Sequence, residues 1–245
     1  MTGHLLTEPG FGEDITDDTG LVCKIADTID EWSAAFSTVY DRYRACGLID
    51  PNPYKMRVLP YHLLPSTNTF VAMQHGHVAC TATLVTDSSD GFPLEPIFPV
   101  EVERKRLQGV TMAEVSCLAS RVTSARTFFK VFLPLQQLLA QHARRFGVDQ
   151  LIVACHPKHA RLYERSMGFR RFTRETTYST LHDAPAVGIA LDFEEVDRLR
   201  PPCWDAMFKE TLPLMELLPR PMSPEAVDYF SPMVDVFAEC LPAFA

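Results

Sequence analysis

A single carboxylate interrupts an apolar segment in the middle of the sequence. The segment VTMAEVSCLAS, residues 110–120, places Glu114 among Val, Met, Leu and Cys side chains. Such a run predicts a buried strand, and a carboxylate is costly to bury unless it is paired or used. A carboxylate held in apolar surroundings can act as a general base that removes a proton from a nucleophile, directly or through water. Glu114 is therefore the first candidate catalytic residue.

A second set of polar side chains lies in a long proline-rich segment, residues 49–67, IDPNPYKMRVLPYHLLPST. Connections of this length in compact domains are usually either functional or disordered. The guanidinium of Arg57 could bind a substrate carboxylate through two parallel hydrogen bonds, and Tyr61 and His62 could line the same pocket. Ordinary surface ion pairing is the alternative for Arg57.

The stretch LIVACHPKHARLYERSMGFRRF, residues 151–172, runs from apolar to basic residues. It predicts a buried strand over 151–155, followed by a helix that begins at Pro157 and ends at Gly168. His156 and His159 flank the start of that helix. Capping or surface roles are favoured over catalysis for both histidines.

The elements that must position these residues alternate along the chain. Residues 21–27 predict a strand, residues 28–47 a helix, and the segments on either side of His75 and Gly76 a β-hairpin. A short basic helix follows, and residues 128–147 predict a long amphipathic helix. This alternation is typical of an α/β (α+β) domain with a central mixed sheet flanked by helices.

The charge of the chain is unevenly distributed. The formal net charge is −8, yet residues 101–175 contain fourteen Lys or Arg and six acidic residues. A basic middle between acidic ends favours a face that meets a phosphate or an acidic partner, with plain solvated surface as the alternative. No basic run interleaved with aromatic residues appears, so nucleic acid is not an expected partner.

The cysteines and the first residues bear on location. The seven cysteines are widely spaced, without a CxxC pair or the clustered histidines of a zinc site, so we expect no metal. The first twenty residues lack the basic region and apolar core of a secretory signal, and no apolar run reaches the length of a membrane span. These features predict a reduced, cytoplasmic location.

The predicted order of elements resembles the GNAT acyltransferase fold, and HPKHARLYERSMGF resembles the last motif of that fold. Three further segments are similar to the long-chain N-acyl amino acid synthases, a GNAT branch related to the acyl-homoserine lactone (autoinducer) synthases: NPYKMRVLPYHLLPSTNTFVA, TATLVTDSSDGFPLEPIFPVEVERKRLQG and AEVSCLAS. The resemblance covers about residues 20–180. It implies transfer of a long-chain acyl group from a thioester to the α-amine of an amino acid.

One connection departs from ordinary acetyltransferases. Most GNAT enzymes follow the central strand with a glycine-rich turn whose N–H groups hold the coenzyme A pyrophosphate. The corresponding connection here, SRVTSARTFF over residues 120–129, contains no glycine. A thioester on an acyl carrier protein presents one phosphodiester and an acidic protein surface, which require Arg and Lys instead. We therefore expect an acyl carrier protein as the preferred donor and acyl-CoA as the alternative, with no tightly bound cofactor.

The basic residues near this connection are candidates for binding the donor. Arg121, Arg126 and Lys130 are candidates for binding the pantetheine thioester. Arg104, Lys105 and Arg106, on the short basic helix, are candidates for contacting the carrier protein.

The resemblance also implies roles around the central strand. Its backbone N–H groups would polarise the thioester carbonyl, and those in question belong to Cys117, Leu118, Ala119 and Ser120. Tyr163 stands where many acetyltransferases keep the acid that protonates the departing thiolate, with packing beneath the acyl chain as the alternative. Glu114 would take the proton of the amine, whereas the autoinducer synthases suggest a carboxylate held by an arginine. Both interpretations of Glu114 stay open.

The remaining assignments concern the two substrates. Phe128, Phe129 and Phe132 are candidates for the acyl-chain pocket, with ordinary helix core as the alternative. The acceptor amino acid is assigned to Arg57, Tyr61 and His62.

The expected domain limits are an acidic flexible arm over residues 1–20, the acyltransferase domain over 21–182 and a mainly helical extension over 183–245. Two competing functions remain. One is a coenzyme A-dependent acetyltransferase of small amines, which the glycine-free connection disfavours. The other is a non-catalytic GNAT-like binding domain, which the presence of both Glu114 and Tyr163 disfavours.

Overall fold

A mixed sheet of eight strands forms the centre of the protein. The structure is a computed structural model that describes residues 20–235. The strand order is β1 (Leu21–Ile25), β2 (Thr67–Gln74), β3 (His77–Thr86), β4 (Met112–Ser120), β5 (Gln150–Cys155), β8 (Ala184–Asp192) and β6 (Arg170–Arg171), with β7 (Thr176–Tyr178) paired to β8. Paired strands run antiparallel except β4 and β5, which run parallel.

Helices cover both faces of the sheet: α1 (Ile29–Ala45), α2 (Pro99–Leu107), α3 (Ala125–Arg145), α4 (Pro157–Ser166), α5 (Phe193–Leu199), α6 (Leu214–Leu217) and α7 (Pro224–Phe230). We call the face covered by α1, α2 and α7 the front face, and the face covered by α3 and α4 the back face. The central sheet flanked by helices confirms the predicted layout. None of the helices within residues 20–235 is long and apolar enough to cross a membrane.

The apolar stripes of α1 and α3 pack against the two faces of the sheet. Thr28 caps α1 by accepting the N–H of Glu31, and the aromatic stripe of this helix, which includes Trp32 and Phe36, is buried on the front face. The apolar stripe of α3 packs on the back face with Leu135 and Leu139 fully buried. Both helices thereby fix the position of the strands between them.

The sheet opens between its two parallel strands. Pairing of β4 with β5 is confined to Met112–Glu114 against Gln150–Ile152. Beyond these residues β4 stays paired with β3, and β5 with β8, so the two strands part toward their carboxyl ends. We call this opening the β4–β5 gap. Because α3 follows β4 and α4 follows β5, both helices begin at the same end of the sheet, where the gap is open.

The region after residue 182 begins as sheet and continues as helices. Strand β8 is inserted between β5 and β6 and pairs with β5 along Gln150–Cys155, so the helical part starts at Phe193. The predicted division at residue 183 thus falls in front of a strand of the same sheet. Apart from Gly20, the predicted acidic arm lies outside the described residues, as do residues 236–245 of the predicted extension.

Candidate active site

Glu114 lies on the front face at the point where β4 and β5 part. It is the last β4 residue paired with β5, opposite Ile152, and only 2% of it is exposed. Its Oε2 accepts the N–H of Leu94 at 2.9 Å. Burial raises the pKa of Glu114 to about 8, an effect that the Leu94 hydrogen bond opposes and the charge of Glu95 reinforces. Within the described residues the donor to Glu114 is a backbone amide, whereas the alternative interpretation expected an arginine.

Four further polar side chains on the front face interact electrostatically with Glu114 or with one another. Arg57 is 5% exposed and lies over the ring of Tyr43, 5.4 Å from its centroid. Burial raises the pKa values of Tyr43 and Tyr178. The charge of Glu114 raises both values further, and the charge of Arg57 lowers them. Burial likewise raises the pKa of the Cys117 thiol, and the adjacent Arg57 charge lowers it. We call Tyr43, Arg57, Glu114, Cys117 and Tyr178 the Glu114 cluster.

Two members of this cluster were not anticipated from the sequence. Tyr43 belongs to the aromatic stripe of α1, which is typical of core. Tyr178 lies in a short strand that carries no catalytic pattern. The only signal in the sequence was the hydroxyl group, since a buried tyrosine usually needs a hydrogen-bond partner. Tyr178 meets this need by donating to the carbonyl of Pro93.

The loop between β3 and α2, residues 87–98, forms a roof over Glu114. The Leu94 N–H and the Pro93 carbonyl bind Glu114 and Tyr178, respectively. Arg106 clamps both ends of the loop, because its guanidinium donates to the carboxylates of Asp87 and Glu95 at 2.5–2.8 Å. The roof therefore holds the Glu114 carboxyl away from water.

The three basic residues assigned to the carrier protein are not brought to the gap. Arg106 is engaged by the loop, and its pKa is raised by these carboxylates. Lys105 donates to Gln150 at the start of β5 and lies 4.9 Å from the centroid of the Phe172 ring. Arg104 is exposed on the same helix. Because β4 and β5 are paired at this end, α2 lies at the closed end of the gap.

The histidine assigned to the acceptor, His62, is buried and hydrogen-bonded within the protein. His62 is 2% exposed and stacks on Phe36. Its Nδ1 accepts the N–H of Leu59 at 2.9 Å, so its Nε2 carries the proton and faces Thr83 Oγ1 at 3.2 Å. Burial and the charge of Arg57 lower the pKa of His62 to about 3. The ring is therefore neutral, and its two nitrogens are engaged by Leu59 and Thr83.

The neighbouring Tyr61 is 8% exposed and belongs to the front-face core. Of the three acceptor residues, Arg57 alone joins the Glu114 cluster.

A bulge in β4 lies along the edge of the gap. Thr83 pairs with Ser116 and Thr81 with Ala119, so Cys117 and Leu118 together oppose one residue of β3. Cys117 has a φ of 51°, in the left-handed region that a residue with a Cβ rarely adopts. A bulge takes backbone groups out of the ladder and changes their direction. The segment from Cys117 to Ser120 thus contains irregular backbone at Cys117 and Leu118, beside the gap.

Tyr163 lies on the other face of the sheet from Glu114. It is half-buried on α4 and packs against Phe132 and Phe169, with ring centroids 6.2 and 5.7 Å away. Burial raises the pKa of Tyr163 above its ordinary value, so the phenol stays protonated. The two predicted catalytic side chains are therefore separated by the sheet and lie on opposite sides of the gap.

The aromatic side chains of α3 continue the surface around Tyr163. Phe128 stacks on Phe132 with ring centroids 4.9 Å apart, and Phe129 contacts both rings. Phe132 is buried, whereas Phe128 and Phe129 are half-buried. The start of α3 thus presents an aromatic cluster on the back face, and two of its three rings are only partly covered.

Basic residues surround the open end of the gap. Arg126 and Lys130 are exposed on the first turns of α3. Arg121 instead turns to α1, where its Nε donates to Thr38 Oγ1 at 3.0 Å and an Nη lies 3.3 Å from Asp41. On α4 the exposed basic residues are Lys158, Arg161 and Arg165.

The histidine at the start of α4 has the expected capping role. His156 Nδ1 accepts the N–H of Lys158 at 3.1 Å.

Comparison with known proteins gives consistent results. The sequence model of a family described as N-acyl amino acid synthase FeeM matches residues 34–192. None of the curated protein sequences matches the chain significantly.

Among solved structures, FeeM, an N-acyl amino acid synthase from uncultured soil microbes, superposes with a TM-score of 0.64 at 24% identity, over 73% of this chain and 96% of FeeM. The acyl-homoserine lactone synthase LasI superposes with a TM-score of 0.60 at 14% identity, over 79% and 97% of the chains. An N-acetyltransferase from Staphylococcus aureus Mu50 gives a TM-score of 0.51 at 14% identity, over 71% and 99%. The GNAT-type fold and the resemblance inferred from the sequence are confirmed.

Proposed function

The chain belongs to the FeeM family of N-acyl amino acid synthases, and we propose that it moves a long-chain acyl group from an acyl carrier protein to the α-amine of an amino acid. It is an acyltransferase of the GNAT type. The proposal concerns the chain length, the donor and the acceptor. The observation that carries it is the β4–β5 gap, which has a buried carboxyl and a guanidinium on the front face and a partly covered aromatic surface on the back face.

The donor approaches from the open end of the gap on the back face. The pantetheine arm lies between β4 and β5, and the acyl chain packs on Phe128, Phe129 and Phe132. Backbone N–H groups of the bulged segment, Cys117 to Ser120, polarise the carbonyl where negative charge develops. Tyr163, neutral because burial raises its pKa, donates its phenolic proton to the departing thiolate.

The acceptor approaches from the front face. Arg57 binds its carboxylate, and Glu114 takes the proton of its ammonium group directly or through water. A carboxyl whose pKa is raised by burial to about 8 is a stronger base than an ordinary carboxylate, which favours transfer of a proton from the ammonium group of the acceptor. The amine then attacks the carbonyl through the gap, the C–N bond forms and the C–S bond breaks.

The donor preference rests on the junction after β4. The connection SRVTSARTFF has no glycine to bring backbone close to a pyrophosphate. The exposed cations of α3 and α4, Arg126, Lys130, Lys158 and Arg161, surround the same opening and complement an acidic carrier. We therefore move the proposed carrier surface from α2 to the first turns of α3 and α4.

A donor competition assay tests this function. The purified protein is incubated with palmitoyl carrier protein, palmitoyl-CoA or acetyl-CoA, each with the twenty amino acids singly, and products are identified by mass spectrometry. We expect N-palmitoyl amino acids, with a higher kcat/KM for the carrier protein than for palmitoyl-CoA. Transfer from acetyl-CoA alone, or equal use of both palmitoyl donors, would contradict the proposed donor, and the absence of any N-acyl amino acid would contradict the function.

A further inference from the structure

The chain after α5 crosses from the back face of the sheet to the front face, and we call residues 205–235 the strap. Side chains of α3 hold its first part on the back face. Gln141 Nε2 donates to the carbonyl of Met207 at 2.9 Å, and His142 Nδ1 donates to the carbonyl of Leu217 at 2.7 Å. The strap is thus attached to the helix that carries the proposed acyl-chain surface.

The second part of the strap packs on the front face. The N–H of Arg220 donates to Asn68 Oδ1 of β2 at 2.7 Å. Ala226 and Phe230 of α7 are fully buried, and Phe230 contacts Phe36 of α1 with ring centroids 5.2 Å apart. The strap therefore reaches the helix that borders the Glu114 cluster.

The end of the strap is fixed beside Arg57. Val234 pairs with Val58 in a parallel bridge, and the N–H of Asp235 donates to the Val58 carbonyl at 2.9 Å. This pairing places the carboxylate of Asp235 with its Oδ2 3.7 Å from Nη1 of Arg57. The strap thus brings a carboxylate to the guanidinium that we assign to the acceptor carboxylate.

The pair leaves the guanidinium incompletely satisfied. A separation of 3.7 Å is too long for a hydrogen bond, and the Nε of Arg57 is buried without a hydrogen-bond partner within residues 20–235. The Asp235 side chain is 36% exposed, against 6% for Arg57, so the aspartate can move away into solvent. A carboxylate able to form two parallel hydrogen bonds would bind this guanidinium better than Asp235 does.

We propose that Asp235 is a built-in competitor that occupies the carboxylate position of the acceptor until an amino acid displaces it. The inference rests on the proposed function, since it requires Arg57 to bind the acceptor. An amino acid replaces the Asp235 carboxylate with its own and restores the charge balance at Arg57. An amine without a carboxylate leaves Arg57 paired with Asp235 and gains nothing from the guanidinium. The built-in carboxylate thereby competes with the carboxylate of the acceptor and keeps Arg57 charge-paired while no amino acid is bound.

The test compares each of the twenty amino acids with its carboxamide in two assays on the full chain. Calorimetry measures binding without a donor, and steady-state acylation measures kcat and KM. The variant Asp235→Asn removes the charge and keeps the N–H to Val58. Asp228→Asn, which removes an exposed carboxylate from α7 of the same strap, is the matched control, and circular dichroism confirms folding of both variants.

We expect Asp235→Asn to lower the Kd and KM of the acid about two- to five-fold, the range for loss of a partly exposed ion pair, with unchanged kcat and unchanged carboxamide binding. Asp228→Asn should match the parent protein. An equal gain for acid and carboxamide, or no gain for either, would overturn the inference. If the parent protein forms no N-acyl amino acid, the proposed function fails, yet an acid-selective gain in binding would still support the strap assignment. Absence of amino acid binding to Asp235→Asn would overturn that assignment.

Discussion

Replacement of Glu114 by glutamine separates a carboxyl held for proton transfer from one held for structure. Burial raises the pKa of Glu114 from 4.5 to about 8. Between these values the folded protein holds a proton on Glu114 that the unfolded chain has lost. The contribution of the protonated group to stability is complete below pH 4.5 and is lost as the pH rises to about 8.

The size of the effect follows from that interval. Each pH unit across it corresponds to about 1.4 kcal/mol, so the loss in the parent protein is on the order of 5 kcal/mol for this 2% exposed side chain. The glutamine introduced by Glu114→Gln does not titrate, and its amide oxygen can accept the Leu94 N–H. Burial of the uncharged amide changes the free energy of unfolding by about 1–3 kcal/mol, and this change is the same at every pH. The free energy of unfolding of Glu114→Gln relative to the parent should therefore rise between pH 5 and pH 8.

Urea unfolding at pH 5, 6, 7 and 8 measures this difference, with Glu210→Gln, which changes an exposed side chain, as the control. Acylation by Glu114→Gln should fall about 10²- to 10⁴-fold, the usual contribution of a general base. The levelling of kcat/KM near pH 8 should give way to a rise that follows the fraction of free amine. Parallel stability curves at all four pH values would refute the raised pKa, and an unchanged turnover with an unchanged pH profile would refute the base.

Three further predictions concern the two sides of the gap. Tyr163→Phe should lower kcat about 10²-fold, the lower end of the range for a general acid, with little change in donor KM, and full activity would exclude the acid role. Arg57→Ala should raise the acceptor KM at least about tenfold, as expected for loss of a charged hydrogen bond worth about 1.5–3 kcal/mol, and leave the donor KM unchanged in initial-rate assays; a raised donor KM would contradict the assignment. Arg126→Glu with Lys130→Glu should raise the KM of the acyl carrier protein in a salt-dependent manner and by a larger factor than the KM of acyl-CoA, whereas Arg104→Glu should not; the reverse pattern would return the carrier surface to α2.

Local patterns in the sequence predicted most of the elements because each carries its own physical signal. The hairpin turns at His75 and Gly76, and α4 begins at Pro157, because turn and cap residues act on neighbouring backbone. Glu114 was identified as buried because an apolar strand has no other place for its side chain. These predictions required no knowledge of which strands are neighbours.

Predictions that depended on distant contacts had less support in the sequence, because local patterns do not show which elements are neighbours. The cations of α2 are close to the junction after β4 along the chain, but the antiparallel β3–β4 pairing places α2 at the opposite end of the gap. His62 was predicted to line a pocket, yet its ring bonds Leu59 and Thr83. Tyr178 and Asp235 could not be found, because β7 and the strap reach the Glu114 cluster only through long-range packing.

A crystal structure with a bound analogue that links a pantetheine arm, a palmitoyl chain and an amino acid through a stable amide tests the central claim most directly. We predict the arm in the β4–β5 gap, the chain against Phe128 and Phe132 on the back face, and the carboxylate on Arg57 on the front face with Asp235 displaced. An analogue bound wholly on one face, or a coenzyme A diphosphate held tightly by residues 121–127, would contradict that claim.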